Sequence, residues 1–151
     1  MLDKSILEIE KKWAQKVVTN AKSILLRNKK IATGNLYNSI RYSVSSDGDI
    51  SFEYAEEGKW VEQGRRKGSR FPPPAPILRW IKVKGIKGRD LKTGRFIKDT
   101  ALVFLFQRAI SRDGIKPVPF MQLAIDKATQ QLMVDLENSI AAYYNKQIGQ
   151  A

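Results

Sequence analysis

Apolar residues recur along the chain at two different periods, and the switches between them mark its elements. Ile6, Ile9, Trp13, Val17, Ala21 and Ile24 are spaced by 3, 4, 4, 4 and 3 positions, the repeat of one helical face. Lys11, Lys12, Lys16 and Lys22 fall off that stripe. A long amphipathic helix is predicted, with Asp3 as N-cap and Arg27, Lys29 and Lys30 at the end where the helix dipole favours cations. Towards the other end Met121, Ile125, Ala128, Leu132, Leu136, Ile140 and Tyr143 are spaced by 4, 3, 4, 4, 4 and 3. This predicts a second long helix, reached through the extended segment Pro117-Val-Pro-Phe120.

Between these helices the period shortens. Thr33 is placed to cap a short turn that delivers Leu36 and Ile40 inward. Ile40 to Val44 and Ile50 to Tyr54 alternate apolar and polar positions around Ser45-Ser-Asp-Gly-Asp49, which predicts a hairpin with one half-buried face. Two strands alone are marginal, so helices or a neighbouring subunit must cover them. Residues 54–64 fit strand and helix equally, and an irregular loop is expected from there through Pro74. Ala75 to Lys84 predicts a short helix with Pro76 in its first turn and Gly85 closing it. Lys87 to Lys98 has few apolar residues and is expected to be a second loop. Asp99-Thr100 is placed to cap a helix carrying Leu102, Leu105, Phe106 and Ala109 and ended by Gly114. No internal repeat is visible. The expected fold is α+β: a small antiparallel β-sheet packed against long N- and C-terminal helices, with a basic loop-rich insertion at 59–98 in a single domain, 1–151.

Charge changes this picture. The chain of 151 residues has 27 Lys+Arg against 15 Asp+Glu, net +12, and a pI of about 10.0. Residues 1–58 hold 9 basic and 8 acidic groups, and 99–151 hold 5 of each, whereas 59–98 hold 13 basic and 2 acidic. Nearly the whole imbalance lies in one segment. It favours an anionic neighbour, either nucleic acid, an acidic protein surface or a membrane face; a merely solvated loop is the plainer explanation. The candidate contact residues are Arg65, Arg66, Lys67, Arg70, Lys82, Lys84, Lys87, Arg89, Lys92, Arg95 and Lys98. Trp60, Phe71 and Trp80 interleave with them. Aromatics among cations can stack on single-stranded bases, but these three are read as anchors that hold the loop, with Trp80 beside Ile77, Leu78 and Ile81 on a packing face.

Other chemistry is thin. The sequence has no Cys and no His, which removes disulfides, thiolate sites, the usual base of hydrolytic triads and the commonest transition-metal ligand. No metal or other cofactor is expected. Asp47 or Asp49 with Glu57-Gly-Lys59 matches the loose Asp…Glu-X-Lys pattern of Mg-dependent nucleases, in which two carboxylates hold the metal and the lysine assists water. The aspartates sit in a turn-forming sequence where Asp is common, and no further acid on a clear strand completes the set. Gly64-Arg-Arg-Lys-Gly68-Ser69 has the letters of a phosphate-binding loop in the wrong order, without Gly-Lys-Ser/Thr or a preceding apolar strand. The opening Met-Leu-Asp-Lys has no signal-peptide run, and Ala101-Leu-Val-Phe-Leu-Phe106 is far short of the ~20 apolar residues of a membrane span. A soluble, intracellular chain is expected.

Four blocks together resemble the bacteriophage neck and tail-completion protein family. Thr33-Gly-Asn-Leu-Tyr-Asn-Ser-Ile40 is similar to its TGxLxxSI element, and Tyr54-Ala…Val61-Glu-Gln-Gly64 to its YA…VExG block. Phe71-Pro-Pro-Pro74 with Ile77…Trp80…Lys84-Gly-Ile86 and Phe104…Arg108-Ala-Ile110 resemble a longer subgroup, and Lys116-Pro-Val-Pro-Phe120…Ala124 resembles a KPxPFxxxA block. The order agrees, from about residue 33 to residue 128, with Arg65 where the family often has Thr and an unusually cationic 87–98. The resemblance implies a non-enzymatic virion protein. It would form a homo-oligomeric ring between the portal or adaptor and the tail, line the DNA passage, and assemble in the host cytoplasm. The alternatives are a stand-alone basic DNA-binding protein or, less favoured, the nuclease.

Overall fold

The computed structural model describes residues 2–30 and 34–149. In chain order these form α1 (Leu2–Arg27), α2 (Asn35–Ser39), β1 (Arg41–Val44), β2 (Ile50–Glu53), α3 (Glu57–Gln63), α4 (Pro74–Lys84), α5 (Asp99–Asp113) and α6 (Phe120–Ile148). The class is α+β, with a two-stranded antiparallel sheet and long terminal helices. None of the described helices is long and apolar enough to cross a membrane.

The described residues group into two compact units. The first comprises residues 1–29, 39–54 and 119–151; the second comprises 30–38 and 55–118. The cause is that each closes an apolar core of its own, the second around Ile77, Ile81, Leu102 and Val103.

In the first unit α1 packs on α6. The seam mixes small and large residues: Ala14, Val17, Val18, Ala21 and Leu25 are buried on α1, and Phe120, Met121, Ala124 and Ala128 on α6. The buried face of α1 overlaps the predicted stripe only in part. Trp13 is only half-buried, its indole Nε1 donating to Thr129 Oγ1 at 3.3 Å, and Ile9 is exposed. Phe120, the largest fully buried side chain, meets Tyr54 edge-on at 5.3 Å. The predicted stripe of α6 is buried only in its first half; Leu136, Ile140 and Tyr143 are exposed.

The hairpin belongs to this unit. Arg41 faces Glu53, Tyr42 faces Phe52, Ser43 faces Ser51 and Val44 faces Ile50. The alternation puts Tyr42, Val44, Ile50 and Phe52 on the half-buried side, where Phe52 meets Trp13 of α1 at 5.8 Å. On the open side Arg41 Nε donates to Glu53 Oε2 at 2.8 Å and the Ser43 and Ser51 hydroxyls are 2.8 Å apart. Ser45 closes the turn, its hydroxyl accepting from Asp49 N at 3.0 Å.

Two of the three capping expectations change. The Thr33 cap lies outside the described residues. α1 already begins at Leu2, so Asp3 is a first-turn residue. Lys98, with no side-chain capping bond, occupies the N-cap of α5; Asp99 is its first residue, where a carboxylate still suits the positive end of the dipole.

Candidate functional site

The second unit holds the charge. Its segments contain 17 basic and 6 acidic residues, net +11, against 10 basic and 9 acidic in the first unit, net +1. Its core is the helix pair α4 and α5, where Ile77, Ile81, Leu102 and Val103 are buried and Ile86, Ile97, Phe106 and Ile110 pack on them. Pro74 stands at the first position of α4, one residue before the predicted start, where its missing N–H is no loss. At the other end Gly85 is left-handed (φ 63°, ψ 29°), and Ile86 N donates to Ile81 O at 3.0 Å. This Schellman closure turns Ile86 back onto the core.

Residues 54–64, which fit either period, contain a helix. α3 ends at Gly64, whose φ of 65° and ψ of −158° lie in a region open essentially to glycine alone. Gly114, at the end of α5, is similar at 73° and −172°. These two glycines let two chain segments cross. Arg65 and Ile115 exchange backbone bonds of 2.8 and 2.9 Å, and Val118 N donates to Val61 O at 2.8 Å. A Cβ on Gly64 would lie 2.4 Å from Ile115 O, and one on Gly114 would lie 2.5 Å from Arg65 O.

The loop from Arg65 to Pro73, expected to be irregular, is stitched along α5. Gly68 N donates to Ser111 O at 2.8 Å, Ser111 Oγ donates to Ser69 O, and Gln107 Nε2 donates to Pro72 O at 2.7 Å. Phe71 meets Phe104 at 5.8 Å, and Trp80 meets Phe106 edge-on at 5.2 Å. Trp60 differs: it is 64% exposed on α3, and the tie at this point is the backbone of its neighbour Val61.

The cations divide by role. Arg65 is half-buried and its Nη2 donates to Arg70 O, so its head group braces the loop. Arg66, Lys67 and Arg70 are exposed on that loop, Lys82 and Lys84 on the last turn of α4. Asp113 is held below the usual carboxylate range by its hydrogen bond to Arg112, with the Arg112 and Lys67 charges adding to this.

Lys87, Arg89, Lys92, Arg95 and Lys98 lie on one element that the sequence did not reveal. Residues 87–98 form a small finger. Ile97 N donates to Gly88 O at 2.9 Å, Asp90 N to Arg95 O at 2.9 Å, and Gly94 N to Asp90 O at 2.8 Å. Arg89 and Phe96 bridge across it. Asp90 organises the tip: its Oδ1 accepts from Lys92 N at 2.9 Å, Thr93 N at 2.8 Å and Thr93 Oγ1 at 3.1 Å. Those bonds, Thr93 N first, hold its carboxyl below the ordinary Asp range. Gly94 supplies the left-handed residue (φ 68°) that returns the chain. The signal was present as Asp90-x-x-Thr93-Gly94, an Asx turn followed by a glycine.

The residues of the nuclease pattern fall in different units. Asp47 and Asp49 are exposed in the hairpin turn of the first. Glu57 and Lys59 are on α3 of the second, where Glu57 Oε1 accepts from Asn35 Nδ2 at 3.3 Å. Among the described residues no three acidic side chains cluster within reach of one metal ion. No family model, no curated protein and no solved structure matches the chain.

Proposed function

We propose that this protein is a structural component of a tailed-phage particle: a subunit of the ring that joins the portal–adaptor side to the tail, working by fitting against copies of itself and neighbouring proteins rather than by catalysis. The observation that carries the reading is the crossing at Gly64. The blocks ending at Gly64 and beginning at Lys116, which resemble the neck family separately, lie about fifty residues apart in sequence. Val118 of the second bonds to Val61 of the first, Gly64 lies against Pro117, and Arg65 and Ile115, each one residue outside its block, pair beside them.

Two features of the first unit suit assembly. Its sheet has only two strands, so each strand is an edge with backbone groups able to pair with another chain. The second half of α6 carries Leu136, Ile140, Tyr143, Tyr144 and Ile148 exposed, an apolar face of the kind that marks an interaction surface. Head-to-tail contacts of a single subunit close into a ring when their rotation permits. The cations of the second unit then meet an anionic surface, in DNA or in an adjoining ring.

Mass spectrometry of purified phage particles tests this. The chain is expected in finished particles at a fixed copy number; its absence from intact particles contradicts the proposal.

A further inference from the structure

The finger at 87–98 is built as a rigid projection rather than a slack loop. Its base is fixed by Ile86 and Ile97 packed on the α4–α5 core, and Gly88 sits so close that an added Cβ would be 3.1 Å from Leu102 Cδ1. Its tip is fixed by the three bonds to Asp90 Oδ1. The one acid of the finger is thereby turned to its own backbone, while Lys87, Arg89, Lys92, Arg95 and Lys98 stay exposed. Arg89 lies over the Phe96 ring at 4.2 Å and its Nη1 donates to Gly94 O at 3.3 Å, so it braces the finger while its remaining N–H groups stay available to an acceptor. At the very tip, next to Asp90, Leu91 is fully exposed. A solubilising loop has no use for a free leucine at its most prominent point.

We propose that this finger binds duplex DNA as a two-stranded ribbon in the major groove, its cations on the flanking phosphates and Leu91 against the base edges. The major groove is about 12 Å wide and admits a two-stranded β-ribbon, and thymine methyl groups there offer apolar contact. Cations along both arms match phosphates on both walls of a groove. An anionic membrane is the other surface that takes a basic patch with an apolar tip. A single leucine is too little apolar surface for that, since lasting attachment generally requires two separate signals. The finger thus deepens the assembly reading by naming DNA as the anion that the basic unit meets, and rests on it only for the biological setting. The binding experiment uses no particle, so either idea can fail alone.

The test is fluorescence anisotropy of a short labelled duplex against the full-length chain across a salt series. Lys92→Ala/Arg95→Ala is expected to flatten the dependence of log K on log salt by about 0.9 for each phosphate that the variant no longer neutralises, with roughly tenfold weaker binding at moderate salt. Leu91→Ser is expected to weaken binding severalfold with the salt slope unchanged. All three side chains are exposed, so matching thermal unfolding of variants and wild type confirms that the fold is intact. Wild-type DNA affinity in the double variant overturns the proposal, as does an unchanged affinity in Leu91→Ser. So does a wild-type chain that floats with phosphatidylserine vesicles while failing to bind the duplex.

Discussion

The two units of this chain divide the physical work between them. The first is close to electrically neutral, and its long helices meet along a seam of buried apolar residues. The second carries a net charge of +11 on a smaller apolar core and relies on backbone crossings, glycine-only conformations and loop-to-helix hydrogen bonds to hold its exposed cations in place. Apolar burial is non-directional and tolerates volume-conserving change, whereas a crossing that admits no Cβ tolerates almost none. The first unit therefore reads as the part that sets stability, and the second as the part whose exact surface matters.

Substitutions can break or sharpen that contrast. The largest effect is expected from Phe120→Ala, which empties a fully buried site in the first unit. It should destabilise by about 3–5 kcal/mol, measured by denaturant unfolding, with the salt slope of DNA binding unchanged in the folded protein. Next is Gly64→Ala. The backbone conformation alone should cost about 1–3 kcal/mol, and the contacts at 2.4 and 2.6 Å raise that further. Gly68→Ala is its control: φ is +75° but nothing lies within 4 Å of the added carbon, so only the conformational part, roughly 1–2 kcal/mol, should appear. Equal losses at the two positions would mean that the crossing does not depend on close approach.

Smaller still is Lys92→Ala, expected to leave stability within about 0.5 kcal/mol of wild type while weakening DNA binding. The least effect at neutral pH concerns Asp135. Its carboxyl is held below 3.8 by Gln131 first and by Lys16 at 3.1 Å second. A lowered folded-state pKa contributes stability that is present above 3.8 and is lost as pH falls through the folded value. Asp135→Asn should therefore lower stability slightly at neutral pH, leave the acid end unchanged, and so flatten the acid limb of a stability–pH curve. Asp90 follows the same sign at the finger tip, so the protection of the Lys92 and Thr93 amides, measured relative to an unstructured chain at the same pH, should fall in acid.

Legibility in the sequence follows from how far each signal extends. Both terminal helices were readable because a period repeated over many turns outweighs local exceptions, and the hairpin because Ser45–Asp49 has turn chemistry between alternating strands. The face that α1 buries was legible in part: Val17 and Ala21 of the stripe are buried, whereas Ile9 is exposed and Ala14, Val18 and Leu25 beside the stripe are buried. The α6 stripe did not show that its second half stays exposed. α3 escaped because seven residues are too few for either period to establish itself. The finger escaped because only Phe96 and Ile97 near its end and Leu91 at its tip are apolar, so side chain–backbone bonds at Asp90 shape it where burial does not. The basic segment was visible as a charge imbalance. Its division into a bracing Arg65 and the outward cations required the fold, since charge alone does not tell one guanidinium from another.

The most direct measurement is complementation of a phage lacking this chain, scored by electron microscopy for joined and separate heads and tails. The account predicts that the null yields complete heads beside unattached tails, and that supplying the wild-type chain restores joined particles. Joined, infectious particles in the absence of the chain would contradict it.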